Sequence, residues 1–227
     1  MKLVLAFALV LSLLAVSSTA EDFDFFYFVQ QKPAVDFGIH GLWPNYAKCD
    51  RDDHLRRHGL ARAVLGDDAF FSIVGRQGRC WPEFCNDDNE LILSQIGGLV
   101  ASLDRSWPTL SCKNRESFQF WSYEWRKHGT CSNLEQHEYF KRALALKARH
   151  NLTAILADAG IVPSNTETYS LSSVRDAVAQ GTGFTANLQC NRDADGEAQL
   201  FQVYMCVDKK GEGAHRLPAV NAQQVSR

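Results

Sequence analysis

The chain has 227 residues, with 24 Lys and Arg against 26 Asp and Glu and a formal charge of −2. That balance excludes a protein that coats nucleic acid through general electrostatics, while leaving room for one that grips a few nucleotides locally. The length suits one well-buried domain and is too short for two comfortable ones.

Met1-Lys2 is followed by an almost wholly apolar run from Leu3 to Val16 and then by Ser17-Ser18-Thr19-Ala20. A short basic start, an apolar core too brief for a flanked membrane span, and small residues at Ser18 and Ala20 predict a secretory signal peptide over residues 1–20. Without it 207 residues remain, 23 basic against 26 acidic, a charge of −3. All seven cysteines (Cys49, Cys80, Cys85, Cys112, Cys131, Cys190 and Cys206) lie in that secreted part. Disulfides are therefore expected, and an odd count leaves at least one thiol without an intramolecular partner.

Residues 22–31 are dense in aromatic residues and read as a buried strand. In residues 36–45 Phe37 and Ile39 alternate with small or polar positions before Gly41 and Pro44, which places His40 where a strand gives way to a loop. Residues 47–79 are charged and glycine-punctuated around one apolar island, Ala69 to Val74. His54 and His58 within them, with Arg56 and Arg57 between, do not match a metal-ligand pattern. Ile92, Ile96, Leu99, Val100, Leu103 and Trp107 then repeat at helical period, weakened by Gly97-Gly98 and stopped by Pro108.

The central stretch is Phe120-Trp121-Ser122-Tyr123-Glu124-Trp125-Arg126-Lys127-His128-Gly129-Thr130-Cys131. If it is helical, Glu124, Lys127 and His128 project from one side at spacings of three and four, a proton-transfer group with two charges beside it. Trp121 and Trp125 form the packed side, and Gly129 offers a left-handed end. The same pattern suits an amphipathic core helix with a satisfied histidine, so the helix alone does not settle a function.

Ser132-Asn133-Leu134-Glu135 reads as a capping box before a helix carrying Tyr139, Phe140, Ala143 and Leu144. Asn151-Leu152-Thr153 is an N-glycosylation sequon between two helical runs. Residues 170–180 make a short helix closed at Gly181. Ala186 to Cys190 and Gln199 to Val207 read as two strands joined by a turn at Asp193–Gly196, and Cys190 and Cys206 could bridge them.

Two segments taken together carry a resemblance. His40-Gly41-Leu42-Trp43-Pro44, followed downstream by Phe120-Trp121 through Glu124-Trp125 to Lys127-His128-Gly129-Thr130-Cys131, resembles the two active-site segments of the ribonuclease T2 family of acid endoribonucleases. The resemblance covers roughly residues 22–46 and 80–207. It implies an α+β fold with a central antiparallel β-sheet and helices packed against it; composition alone gives only one secreted mixed domain.

It also implies an activity, cleavage of single-stranded RNA to a 2′,3′-cyclic phosphate and then hydrolysis of the ring. His128 would be the base and His40 the acid, Lys127 the cation on phosphorus and Glu124 the group assisting the array. Trp43 could stack on a base and Phe120 line a second base site. Gln30 or Gln31, at the end of the first strand, would lie near the substrate. No cofactor and no metal are implied, and the partner is single-stranded RNA, met by a monomer away from membranes. The compartment would be extracellular, or a vacuole-like one reached through the secretory pathway.

The family pairing corresponds to Cys85–Cys131, and Cys112 would be free or captured by Cys49 or Cys80. Two departures stand out. The loop and disulfide that usually follow the first strand are absent, and Tyr123 occupies the place of a histidine that helps to anchor phosphate. A phenol donates a hydrogen bond but adds no cation at acid pH, so weakened catalysis is expected. The alternative is a non-catalytic relative serving in storage, defence or recognition.

Overall fold

The structure is a computed structural model that describes residues 22–32, 36–47, 81–111, 116–164, 166–183, 186–193 and 195–213. The expected signal peptide, all of the expected insertion except Ala47, and Cys49, Cys80 and Cys112 lie outside the described residues.

Strands β1 (Phe25–Gln31), β2 (Gly38–Asn45), β3 (Asn187–Arg192) and β4 (Ala198–Val207) form an antiparallel sheet in the order β2-β1-β4-β3. Among the described residues, helices α1 (Leu93–Ile96), α2 (Val100–Ser106), α3 (Ser117–Lys127), α4 (Gln136–Arg149), α5 (Leu152–Asp158) and α6 (Leu171–Thr182) join the sheet in an α+β architecture. One face of the sheet carries Phe26, Phe28, Ile39, Leu42, Val203, Met205 and Val207 into the core. There they meet Leu103, Trp107, Trp121, Trp125, Tyr139, Phe140 and Leu146 from the helices. Trp107, Trp121 and Trp125 are each at most 1 % exposed, so truncating any of them would cost about 3–5 kcal/mol.

On the opposite face the cross-strand pairs are Tyr27 with Trp43, Val29 with Tyr204, Gln31 with Gln202 and Gln189 with Gln202. Strand β2 is an edge, and its carbonyls are covered from the helices. The Trp107 indole N–H donates to the His40 carbonyl at 2.9 Å, and the Tyr139 hydroxyl donates to the Leu42 carbonyl at 3.0 Å.

Local sequence explains where the elements depart from the periodic reading. The stripe from Ile92 to Trp107 does not make one helix, because Gly97-Gly98-Leu99 tightens into a 3₁₀ turn between α1 and α2. Gly129 is not left-handed; it opens a second 3₁₀ turn, Gly129–Cys131, and glycine is needed there because a Cβ would overlap the Trp125 ring. The capping box does not form. Ser132 Oγ donates to the Gly129 carbonyl and accepts from Leu134 N–H, while Glu135 precedes α4 without a side-chain cap. Helix α6 follows the expected pattern, with Ser170 accepting from Ser173 N–H, but it ends at Gly183, φ +80°, rather than at Gly181.

The cysteines also correct an expectation. Cys85 and Cys131 are joined, but Cys190 and Cys206 are both free. In the strand register Cys190 lies opposite Leu200, and Cys206 lies opposite Tyr27 on β1. Six residues of extended chain between positions 200 and 206 span about 20 Å, well beyond disulfide reach.

Candidate active site

His40 does not sit at a strand end, as its sequence suggested, but inside β2 at an irregularity. Val29 pairs with Gly41 and Gln30 with Ile39, so His40 is the extra residue of a β-bulge. A bulge leaves one residue out of the ladder and re-aims its side chain. The backbone freed in this way is held by Trp107, whose own carbonyl accepts from the Trp121 indole N–H at 2.7 Å. Helix α3 and the bulge are thus tied by two consecutive indole hydrogen bonds.

Around the His40 ring stand groups from three elements. Gln202 Nε2 of β4 is 2.6 Å from Nδ1, and Glu124 Oε1 of α3 is 3.8 Å from Nε2. Trp43 meets it edge-on with centroids 5.0 Å apart, and Phe120 lies at 5.7 Å. The other face of the arrangement is set by His128, which caps α3 and stacks on the Trp43 ring at 4.9 Å and 24°. Both imidazoles therefore lie against one indole, although 88 positions separate them in the chain. The Trp43 N–H donates to Glu124 Oε2 at 2.8 Å, and a Cβ on Gly41 would overlap both of those atoms. Gly41 is what allows the indole, the carboxyl and the bulge to close on one another.

The electrostatics follow from burial. Glu124 is 2 % exposed, and loss of solvent pushes its carboxyl up to about 8 against the opposing pull of the Trp43 hydrogen bond and Lys127. Burial, aided by Lys127, brings His40 down to about 4. Between those values the pair holds one proton, on the carboxyl, and both groups are uncharged. His128 is 4 % exposed and is driven well below the ordinary imidazole range by burial, then by Lys127 and His40. Its ring thus favours the neutral form, and among the described residues its buried Nδ1 has no hydrogen-bond partner. Lys127 is partly exposed; its Nζ lies 4.0 Å from Glu83 Oε2 and 5.5 Å from the Tyr123 ring. The disulfide Cys85–Cys131 and the 2.9 Å bond from Phe84 N–H to the Lys127 carbonyl hold the Glu83 segment against the end of α3.

His40, Glu124, Lys127, His128, Trp43, Phe120 and Tyr123 are thus gathered in one place. Trp43 has a structural task as well, since one face is covered by His128 and its N–H holds Glu124. Gln30 is a correction. It is fully buried on the helix side of the sheet, donating to the His150 carbonyl at 2.9 Å, and it is Gln31 that shares a row with Gln202. The bulge and the aromatic residues on both faces of β1 hid that parity. Sequence reading also missed Gln202, Trp107 as the anchor of the bulge, and Glu83 beside Lys127. Asn151 is exposed and caps α5, accepting from Ala154 N–H. Among the described residues no cluster of three His, Cys, Asp or Glu could hold a metal ion.

Residues 20–215 match the model of the Ribonuclease T2 family. Ribonuclease 1 of Arabidopsis thaliana is 40% identical over 245 residues, covering 96% of this chain and 93% of that protein. Intracellular ribonuclease LX of Solanum lycopersicum is 37% identical over 91% of this chain and 82% of its own length. Extracellular ribonuclease LE of the same plant is 38% identical over 90% and 85%. Among solved structures, RNase NT in complex with 5′-AMP superposes with a TM-score of 0.72 at 35% identity, covering 88% of this chain and 93% of that one. With its bulged histidine, its α3 histidine and a family match that runs almost end to end, the chain belongs to the ribonuclease T2 family.

Proposed function

We propose that the chain cleaves single-stranded RNA by transesterification at the ribose 2′-hydroxyl, with His128 and His40 as the paired proton carriers. The observation that carries this reading is the placement of both imidazoles against Trp43, with Lys127 on the same helix end. Neutral His128 takes the 2′-hydroxyl proton as the 2′-oxygen attacks phosphorus. The bond from phosphorus to the 5′-oxygen breaks, and that oxygen leaves with a proton from His40 Nε2. The products are a 2′,3′-cyclic phosphate and a 5′-hydroxyl. Water then opens the ring with the two roles exchanged.

A buried imidazole with a pKa of about 4 is a poor store of protons, and Glu124 answers that difficulty. Its carboxyl holds the pair's proton 3.8 Å from His40 Nε2 until an incoming phosphodiester anion favours imidazolium. Lys127, turning from Glu83 to the phosphate, stabilises the charge that grows on the equatorial oxygens. Tyr123 donates at most one hydrogen bond where a histidine would add a cation. DNA lacks the attacking oxygen and is refused on chemical grounds.

Secretion through residues 1–20, a glycan on Asn151 and action as a monomer belong to the same proposal. The sequon hydroxyl of Thr153 bonds Asp36 and accepts from Phe37 N–H in the fold, so the glycan would be added before β2 docks there. Among the described residues no helix is long and apolar enough to cross a membrane.

The test is cleavage of an RNA oligonucleotide at about pH 5 in chelator by the mature protein, His40→Ala and His128→Ala. Cyclic phosphate ends from the wild type, lost in both variants, are the expected result. An inert wild type, or cleavage indifferent to either substitution, would overturn the proposal and favour the storage or recognition reading.

A further inference from the structure

Behind His40, away from the α3 side, three side chains of the sheet run in a row that the mechanism has not used. Gln202 Nε2 faces His40 Nδ1 at 2.6 Å, Gln202 Oε1 faces the Tyr204 hydroxyl at 2.6 Å, and that hydroxyl also faces Gln189 Oε1 at 2.7 Å. Burial pushes the Tyr204 phenol up to about 12, so it stays protonated and carries a single hydrogen. One hydrogen cannot serve two oxygens at such distances, so one of the two amides must present its nitrogen to the phenol. The ends of an amide exchange by a half turn of the last torsion, and there are two complete solutions.

In the first, Gln189 is turned. Its NH₂ donates to the Tyr204 oxygen, Tyr204 donates to Gln202 Oε1, and Gln202 NH₂ donates to a bare His40 Nδ1. In the second, Gln202 is turned. Tyr204 donates to Gln189 Oε1, Gln202 NH₂ donates to the Tyr204 oxygen, and Gln202 Oε1 accepts from a protonated His40 Nδ1. Gln189 is half-buried, so solvent serves whichever amide end faces away. The two patterns contain the same number of hydrogen bonds and differ in whether His40 Nδ1 carries a proton, the first fitting only the Nε2–H imidazole and the second both the Nδ1–H imidazole and the imidazolium.

We infer that Gln202, Tyr204 and Gln189 are positioning residues forming a hydrogen-bond relay that sets which ring nitrogen of His40 keeps its resident proton, the second pattern holding Nδ1–H and leaving Nε2 to give and take the catalytic one. The inference rests on the ribonuclease reading for its purpose: a group that gives a proton from Nε2 in cleavage and takes one there in ring opening must keep Nδ1–H and its buried acceptor through both steps. The other groups facing the ring do not supply this. Glu124 of α3 bears on Nε2, Lys127 and His128 act on the ring only through charge, Trp43 meets it edge-on, and Gln31 of β1 stands next to Gln202 in the row.

The test uses the whole mature protein with isotopically labelled histidine, following the His40 ring nitrogens through a pH titration. Gln189→Glu does not touch the ring, but its carboxylate only accepts. It therefore obliges Tyr204 to donate outward and Gln202 to turn its oxygen to His40. The His40 midpoint is expected to rise by about one pH unit. In the double variant Gln189→Glu with Tyr204→Phe the charge remains and the relay is cut, so the rise is expected to vanish. Gln202→Met should lower the midpoint, and the alkaline limb of the kcat/KM profile should move with it.

An equal rise in the single and double variants, or no movement in any, would overturn the relay. Rate losses uniform across pH with a fixed midpoint would do the same, reducing Gln202 to a packing role. The titration reads the free protein, so failure to cleave RNA would count against the proposed function and leave the relay to be judged by the midpoints.

Discussion

Glu124→Gln isolates the most unusual electrostatic feature of the site. Glutamine keeps an oxygen for the Trp43 N–H but cannot ionise. The wild-type carboxyl ionises near 4.5 in the unfolded chain and at about 8 in the fold. Because the folded value is the higher one, its contribution to stability is fully present below pH 4.5 and is lost as pH rises through 8. At 1.36 kcal/mol per pH unit, the wild type should lose roughly 3–5 kcal/mol relative to Glu124→Gln across that window and nothing further above it. Denaturant unfolding of both proteins at intervals from pH 4 to 9 gives the difference directly. His40 runs the other way, its contribution being present above 6.5 and lost as pH falls toward 4, and to first order it cancels in the comparison. A stability difference that does not change with pH, or that grows in favour of the wild type as pH rises, would refute a neutral Glu124 and with it the proton store assigned to the pair.

Three further outcomes follow from the packing. Trp107→Phe keeps an aromatic ring but removes the N–H and part of a buried indole, orphaning the His40 carbonyl; stability should fall by about 2–4 kcal/mol and kcat by more than that loss of fold accounts for, as read by denaturation and cleavage rates. Tyr123→His adds a cation beside Lys127 at acid pH, so KM for an RNA oligonucleotide at pH 5 should drop by about fivefold, the gain of a charge-assisted hydrogen bond over the phenol's neutral one, with kcat little changed. Replacing Cys85 and Cys131 together by alanine opens a loop of 46 residues and should lower stability by up to about 4 kcal/mol, measured as a fall in the denaturation midpoint.

What the sequence showed of this site, and what it hid, divides along a physical line. His40, Trp43, Glu124, Lys127 and His128 sit in two short contiguous runs whose residue types are tied to proton transfer, so they were readable without a fold. Gln202 was not, because its partnership with His40 spans 162 positions and exists only where the bulge turns the imidazole toward β4. Trp107 looked like one more apolar residue in a helical stripe, and only the freed carbonyl of the bulge gives its N–H a distinct task. The choice between Gln30 and Gln31 failed for a related reason. A strand buried on both faces has no polar parity to read, and one extra residue in its neighbour shifts the register. Cys190 and Cys206 were paired from their presence on neighbouring strands, where register, not neighbourhood, decides reach.

Cleavage as proposed needs an attacking oxygen supplied by the substrate and two imidazoles that move its protons. A DNA oligonucleotide containing one ribonucleotide, incubated with the mature protein at about pH 5 in chelator, tests that claim most directly. A single cut on the 3′ side of the ribose, leaving a cyclic phosphate, abolished by a 2′-O-methyl group and by His128→Ala, is the predicted result. Cleavage at deoxyribose positions, or a cut that survives 2′-O-methylation, would contradict it.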